Sequence, residues 1–149
     1  MVKLGDALSG VTRLGFDTAP VIYFVEANPQ YDALVTSVFQ QATNGVFQGV
    51  TSIVTLSEVL VQPFIRRDIR LQQEYRDLLL NSRNFQTLPI GAVIAERAAD
   101  LRARYNLRTP DALQIAAALN AGCEAFLTND AGLKRVTELR IIVLDEIEL

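Results

Sequence analysis

The chain has 149 residues, 50% of them hydrophobic and 21% charged, with a formal net charge of −3, one cysteine and no histidine. This length and apolar content suit one globular domain with a substantial core, and the negative balance argues against charge-driven, nonspecific nucleic-acid binding while leaving room for a local Arg face. The missing histidine excludes Ser/His/Asp and Cys/His catalysis and His-ligated zinc, and a lone cysteine excludes an intrachain disulfide.

Residues 1–12 are weakly patterned and read as a short N-terminal lead-in without the regions of a signal peptide. Leu14-Gly15-Phe16 reads as a first strand ending on Asp17, and Thr18-Ala19-Pro20 as the turn into a helix over residues 21–26 that Pro20 opens. After the Asn28-Pro29 break, Tyr31, Leu34, Val35, Val38 and Phe39 mark the apolar stripe of a second helix, stopped by Asn44-Gly45. Residues 49–54 are β-branched and strand-like. Thr55-Leu56-Ser57-Glu58 has the pattern of a capping box, so Glu58 is expected to open a helix that Pro63 interrupts. The charged segment 66–80 is amphipathic, and Phe85–Leu88 reads as a third strand. Ala92–Tyr105 is a helix expected to turn Val93, Ile94, Ala98 and Leu101 inward.

Thr109 reads as the N-cap of the next helix, with Pro110 at its first position and Gly122 as its left-handed stop. That helix is apolar nearly all round and must be buried; Ala125-Phe126-Leu127 after it reads as a central parallel strand ending at Thr128-Asn129-Asp130. Cys123, at the strand entrance, reads as a small buried residue, which fits a reducing cytoplasm. Residues 133–139 suggest a short helix and 141–144 a last strand. No apolar run reaches the length of a membrane span. Alternating strands and helices point to one α/β domain around a mostly parallel sheet of four to five strands flanked by helices.

Four carboxylates stand at related places in this plan. Asp17 follows the first strand, Glu58 follows the second, Asp111 lies in the first turn of the buried helix, and Asp130 follows the fourth strand. In a parallel sheet the carboxyl ends share one edge, so the four can converge. Like charges within ~4–6 Å disfavour ionisation of all four, and a hard divalent cation with oxygen ligands, Mg²⁺ or Mn²⁺, resolves that conflict. Such an ion suits phosphodiester hydrolysis without histidine. Each acid also has a plain structural reading. Glu58 suits the N3 position of a capping box, Asp111 the helix dipole, and Asp130 an Asn-Asp turn. Asp17 has no evident packing purpose, and the joint occurrence favours one shared site. The arginines at 66, 67, 70, 97, 102, 104 and 108 read as a solvated face, and Tyr31, Phe39 and Phe64 as core or interface residues rather than base-stacking platforms.

Asp17-Thr18, Thr55-Leu56-Ser57-Glu58-Val59, Thr109-Pro110-Asp111-Ala112 with its Ala-rich helix, and Thr128-Asn129-Asp130 together resemble the PIN-domain nucleases, and more closely the VapC-type toxins of toxin–antitoxin pairs, over residues 13–145. The resemblance implies a PIN-like domain over residues 13–149 with strand order 3-2-1-4-5, a Mg²⁺- or Mn²⁺-dependent endoribonuclease, an RNA substrate, a cognate antitoxin and a homodimer. It carries metal and catalytic roles onto Asp17, Glu58, Asp111 and Asp130, and supporting roles onto Thr18, Thr128 and Asn129. Many members have a further acidic residue where this chain has Ala131-Gly132, which bears on a second metal. The alternatives are a PIN-like module that binds RNA or protein without cutting, and a phosphoacceptor receiver domain. The receiver fails on spacing, since Leu88-Pro89 follows the third strand where it needs an aspartate.

Overall fold

In the computed structural model, which describes residues 1–149, five parallel strands form one sheet in the order β4-β3-β2-β5-β6. They are β2 (Arg13–Phe16), β3 (Gln48–Ser52), β4 (Phe85–Leu88), β5 (Ala125–Thr128) and β6 (Arg140–Val143). Counted from the first strand of this sheet, the order is the expected 3-2-1-4-5. All four residues of β5 are buried, as a strand covered on both faces and both edges requires. The chain reverses its direction of travel across the sheet between β2 and β5, whose register pairs Phe16 with Leu127. That reversal opens a crevice beyond the carboxyl ends of the two strands.

Helices cover both faces. On one side α2 (Thr18–Val25), α3 (Asp32–Thr43) and α6 (Ile69–Asn81) close a core centred on Phe16, Phe39, Phe85 and Tyr75. On the other, α7 (Ala92–Tyr105) and α8 (Thr109–Asn120) bury Leu101, Ile115, Ala116 and Ala117 against Val50 and Phe126. The small residues of α8 let it approach the sheet closely. A Cβ at Gly15 would stand 2.8 Å from both Ala118 Cβ and Phe126 Cδ1, so only glycine fits that point of β2. Gly122 stops α8 in the left-handed region, at φ +79°. Cys123 is buried, and desolvation pushes its thiol up to about 12, as suits a packing residue.

Several sequence expectations need correction. Residues 1–12 are structured. β1 (Val2–Lys3) pairs with β7 (Ile147–Glu148), α1 (Leu4–Ala7) follows, and Leu4, Leu8 and Val11 are buried in the core. Helix α2 begins at Thr18 with Asp17 as its cap, and Pro20 sits in its first turn rather than opening it. Strand β3 stops at Ser52, whose hydroxyl caps α4 (Ile53–Val59) by accepting from Val54 N at 3.2 Å. Thr55 therefore lies inside the first turn and Glu58 a turn beyond it, so no capping box forms. The helical path breaks at Leu60, before α5 (Val61–Ile65), because the Pro63 ring cannot sit beside the carbonyl four residues earlier in a continuous helix.

Arg108, not Thr109, precedes the first turn of α8. Val93 is exposed on α7, where Ile94, Ala98 and Leu101 face inward as expected. Phe64 is exposed, Phe39 is core, and Tyr31 is half-buried. The expected helix over 133–139 is instead a 3-10 turn at Ala131–Arg135. No helix is long and apolar enough to cross a membrane.

Candidate active site

The crevice at the β2/β5 reversal is a cleft of about 340 Å³, and Asp17, Glu58, Asp111 and Asp130 all line it. Each acid arrives by a local rule. Asp17 is the residue at which β2 ends, and as cap of α2 it accepts from Thr18 N at 2.9 Å. Asp111 rides in the first turn of α8, where a helix N-terminus favours an acid. Asp130 lies two residues past the end of β5 and caps the 3-10 turn, accepting from Gly132 N at 2.8 Å. Glu58 reaches the cleft because it lies on the second turn of α4 rather than at its start.

The supporting residues have definite contacts. Thr128, wholly buried, donates its hydroxyl to Asp17 Oδ2 at 2.8 Å and accepts from Asp130 N at 3.1 Å, so one side chain orients two of the acids. Thr18 donates to Glu58 Oε1 at 2.6 Å. Asn129 donates to the Tyr31 hydroxyl at 2.9 Å and accepts from Asp145 N at 3.1 Å, which ties β5 to the end of β6. Burial raises the Asp17 carboxyl above its ordinary range; bonds from Thr128 and Thr18 N oppose this, and repulsion from Asp111 and Glu58 adds to it. Asp17 thus feels Asp111 and Glu58 across the cleft.

Sequence reasoning missed three participants. Arg108, taken for a solvated arginine, lines the cleft and reaches Asp111 Oδ2 at 3.3 Å. Tyr23 also lines it, with its ring stacked on Tyr31 at 4.4 Å between centroids. Gln114, 3% exposed, bonds to Thr18 and Thr55 from α8. Its polarity amid Ala112, Leu113, Ile115 and Ala116 is the signal that could have found it.

The donor set offered to a cation is oxygen only, and it suits a hard divalent ion rather than zinc or copper. No three of the acids close on one point as a ready-made ligand cage. Mg²⁺ needs none, since it characteristically keeps several waters and binds through one or two carboxylates and substrate phosphate. The residues present fit such an ion.

Fold and cleft together define a class, an α/β domain with an oxygen-lined acidic crevice at the switch point of a parallel sheet. The PIN domain profile matches residues 16–139, and the chain belongs to that family. No curated protein sequence matches it. Among solved structures, the fold is similar to a chain of VapBC2 from Rickettsia felis bound to a promoter DNA fragment, with TM-score 0.70, 16% identity and coverage of 88% of this chain and 98% of that one. It is also similar to a chain of a toxin–antitoxin complex from Klebsiella pneumoniae, with TM-score 0.67, 23% identity and coverage of 89% and 97%. A third is a chain of DNA-bound VapBC from Salmonella typhimurium, with TM-score 0.65, 16% identity and coverage of 97% and 99%.

Proposed function

We propose that this protein is a Mg²⁺- or Mn²⁺-dependent endoribonuclease, the toxin of an antitoxin-controlled pair, acting in the cytoplasm. The observation that carries the reading is the convergence of Asp17, Glu58, Asp111 and Asp130 on one cleft whose only lining cation is Arg108. A scaffold has no reason to keep mutually repelling carboxylates there. PIN domains are generally nucleases and typically use divalent metals, which supports the same reading.

Asp17, Asp111 and Asp130 would hold the ion, one or two of them directly and the rest through its waters, with Glu58 as a further such group or as the one that positions the attacking water. The ion supplies water activation and stabilisation of the leaving oxygen. Thr128 keeps Asp17 in place from below, and Thr18 does the same for Glu58. Arg108 is the one group beside the acids able to pair with a phosphate oxygen, at the cost of its contact with Asp111.

Similarity to chains of toxin–antitoxin complexes supports a protein antitoxin as partner. Val61, Phe64, Ile65 and Ile69 lie exposed beside Arg66, Arg67 and Arg70, a surface that a partner chain would cover. A homodimer is expected in solution, and light scattering on purified protein would report it.

The test is incubation of total cellular RNA with antitoxin-free protein in Mn²⁺ or Mg²⁺, with EDTA and Asp111→Asn as controls and product ends mapped. The expected result is metal-dependent cutting that leaves 5′-phosphates and is absent from both controls. Products with 2′,3′-cyclic phosphates would refute the water-attack mechanism. Binding of RNA or a protein partner without cutting would favour a non-catalytic module.

A further inference from the structure

The buried polar cluster behind Glu58 has one consistent arrangement of hydrogens. Thr51 donates to the Phe16 carbonyl at 2.9 Å, so the 2.8 Å contact between Thr51 and Thr55 requires Thr55 to donate to Thr51. Thr55 then has no hydrogen left for Gln114, and the Gln114 group 2.6 Å from it must be the amide NH₂. The same NH₂ reaches Thr18 Oγ1 at 3.2 Å, while Ser52 donates to Gln114 Oε1. Thr18 can therefore only accept from Gln114, and its single hydrogen goes to Glu58 Oε1 at 2.6 Å. The 3.3 Å approach of Thr18 to Thr55 carries no hydrogen at all. Every buried side-chain polar atom is satisfied by this pattern.

We infer that Gln114 is a positioning residue of the site: its amide fixes the direction of the Thr18 hydroxyl, which in turn holds the Glu58 carboxylate in the cleft. Without the amide, Thr18 is free to turn its hydrogen toward Thr55, and Glu58, exposed on α4, loses its only protein partner. The inference rests on the reading of Glu58 as part of a metal-holding set. It goes beyond that reading because neither Gln114 nor Thr55 touches the cleft.

Mn²⁺ titration of RNA-free protein, with thermal denaturation alongside, tests it through variants that separate position from stability. Gln114→Met keeps the length of the side chain and removes the donors. Thr18→Val removes the hydroxyl, and Thr18→Ser restores it. Partners of metal-holding groups commonly matter by about tenfold or more in affinity. Thr18→Val is expected to weaken Mn²⁺ binding by about tenfold and Gln114→Met by about threefold, at the low end for a residue one step further away. The double variant should bind no more weakly than Thr18→Val alone, since the second change has nothing left to act through. Thr18→Ser should bind like wild type.

Additive losses in the double variant, or a Gln114→Met protein with a lower Tm and unchanged Mn²⁺ affinity, would overturn the inference. Glu58→Gln separates the two levels. If it does not weaken Mn²⁺ binding, the metal-site reading fails and takes this inference with it. If it does while Gln114→Met does not, only the role of Gln114 falls.

Discussion

Thr128→Val is the substitution whose consequences the structure specifies most fully. Valine matches threonine in shape, and the site is fully buried at the end of β5, so packing and strand propensity are preserved. Two hydrogen bonds disappear: the one donated to Asp17 Oδ2 at 2.8 Å and the one accepted from Asp130 N at 3.1 Å. A bond to an ionised group contributes about 1.5–3 kcal/mol and a neutral one about 1. The expected loss at neutral pH, in EDTA, is about 2–4 kcal/mol, or a fall in Tm on the order of 5–10 °C for a domain of this size. The loss also has a required pH dependence. Thr128 favours the ionised Asp17, so its removal raises further a folded-state pKa that already lies above the ordinary value of 3.8. The gap between wild type and variant is full above those folded-state values and narrows as pH falls through them, because protonated Asp17 no longer needs the donor. Urea denaturation of both proteins across that range measures the gap. A variant within about 0.5 kcal/mol of wild type at neutral pH, or a deficit unchanged on acidification, would refute the role given to Thr128.

Three further outcomes follow from the same geometry. Asp17→Asn should stabilise the metal-free protein at neutral pH while weakening its stabilisation by Mn²⁺: the raised pKa means that ionised Asp17 opposes folding, an effect present above its folded-state pKa and gone below 3.8, and equal Mn²⁺ stabilisation of wild type and variant would sink the shared site. Arg108→Gln should tighten Mn²⁺ binding to RNA-free protein by about two- to fivefold, since the largely exposed guanidinium competes for Asp111; calorimetry showing weaker binding would contradict this. Gly15→Ala should cost about 1–3 kcal/mol in urea denaturation, because the new Cβ meets Ala118 and Phe126 at 2.8 Å, and a neutral result would mean that α8 is free to lift off β2.

The elements that sequence reading located well are those whose identity is set within a few residues. Strand Phe85–Leu88 and helix Ala92–Tyr105 appear with the expected bounds, and Gly122 ends α8 where an αL residue was required. The failures concern choices settled by distant partners. Nothing local makes Val2 and Lys3 a strand; they become one by pairing with Ile147 and Glu148 at the other end of the chain. Residues 49–54 are uniformly β-branched or small, and the strand could stop at any of several positions. Ser52 decides it, because its hydroxyl caps α4 while its hydrogen goes to Gln114 on a helix far along the chain.

That one boundary also governs the site. With the strand running to residue 54, Thr55 would be a cap and Glu58 its N3 partner, and the carboxylate would be spent on backbone N–H groups. With the strand ending at Ser52, Thr55 turns inward to Thr51 and Gln114, and Glu58 moves to a turn where Thr18 is its partner and the cleft its surroundings. Asp17, Asp111 and Asp130 were legible because strand ends and helix starts are local features, whereas Glu58 was read at a helix start and stands a turn further on. What orients Asp17, Asp130 and Glu58 in the cleft is a set of hydroxyls and one amide drawn from α2, α8 and β5, and such adjacency between distant elements leaves only an isolated polar residue in an apolar helix as its trace in the sequence. Gln114 is that trace: its amide meets both Thr18 and Thr55, and through Thr18 it reaches Glu58.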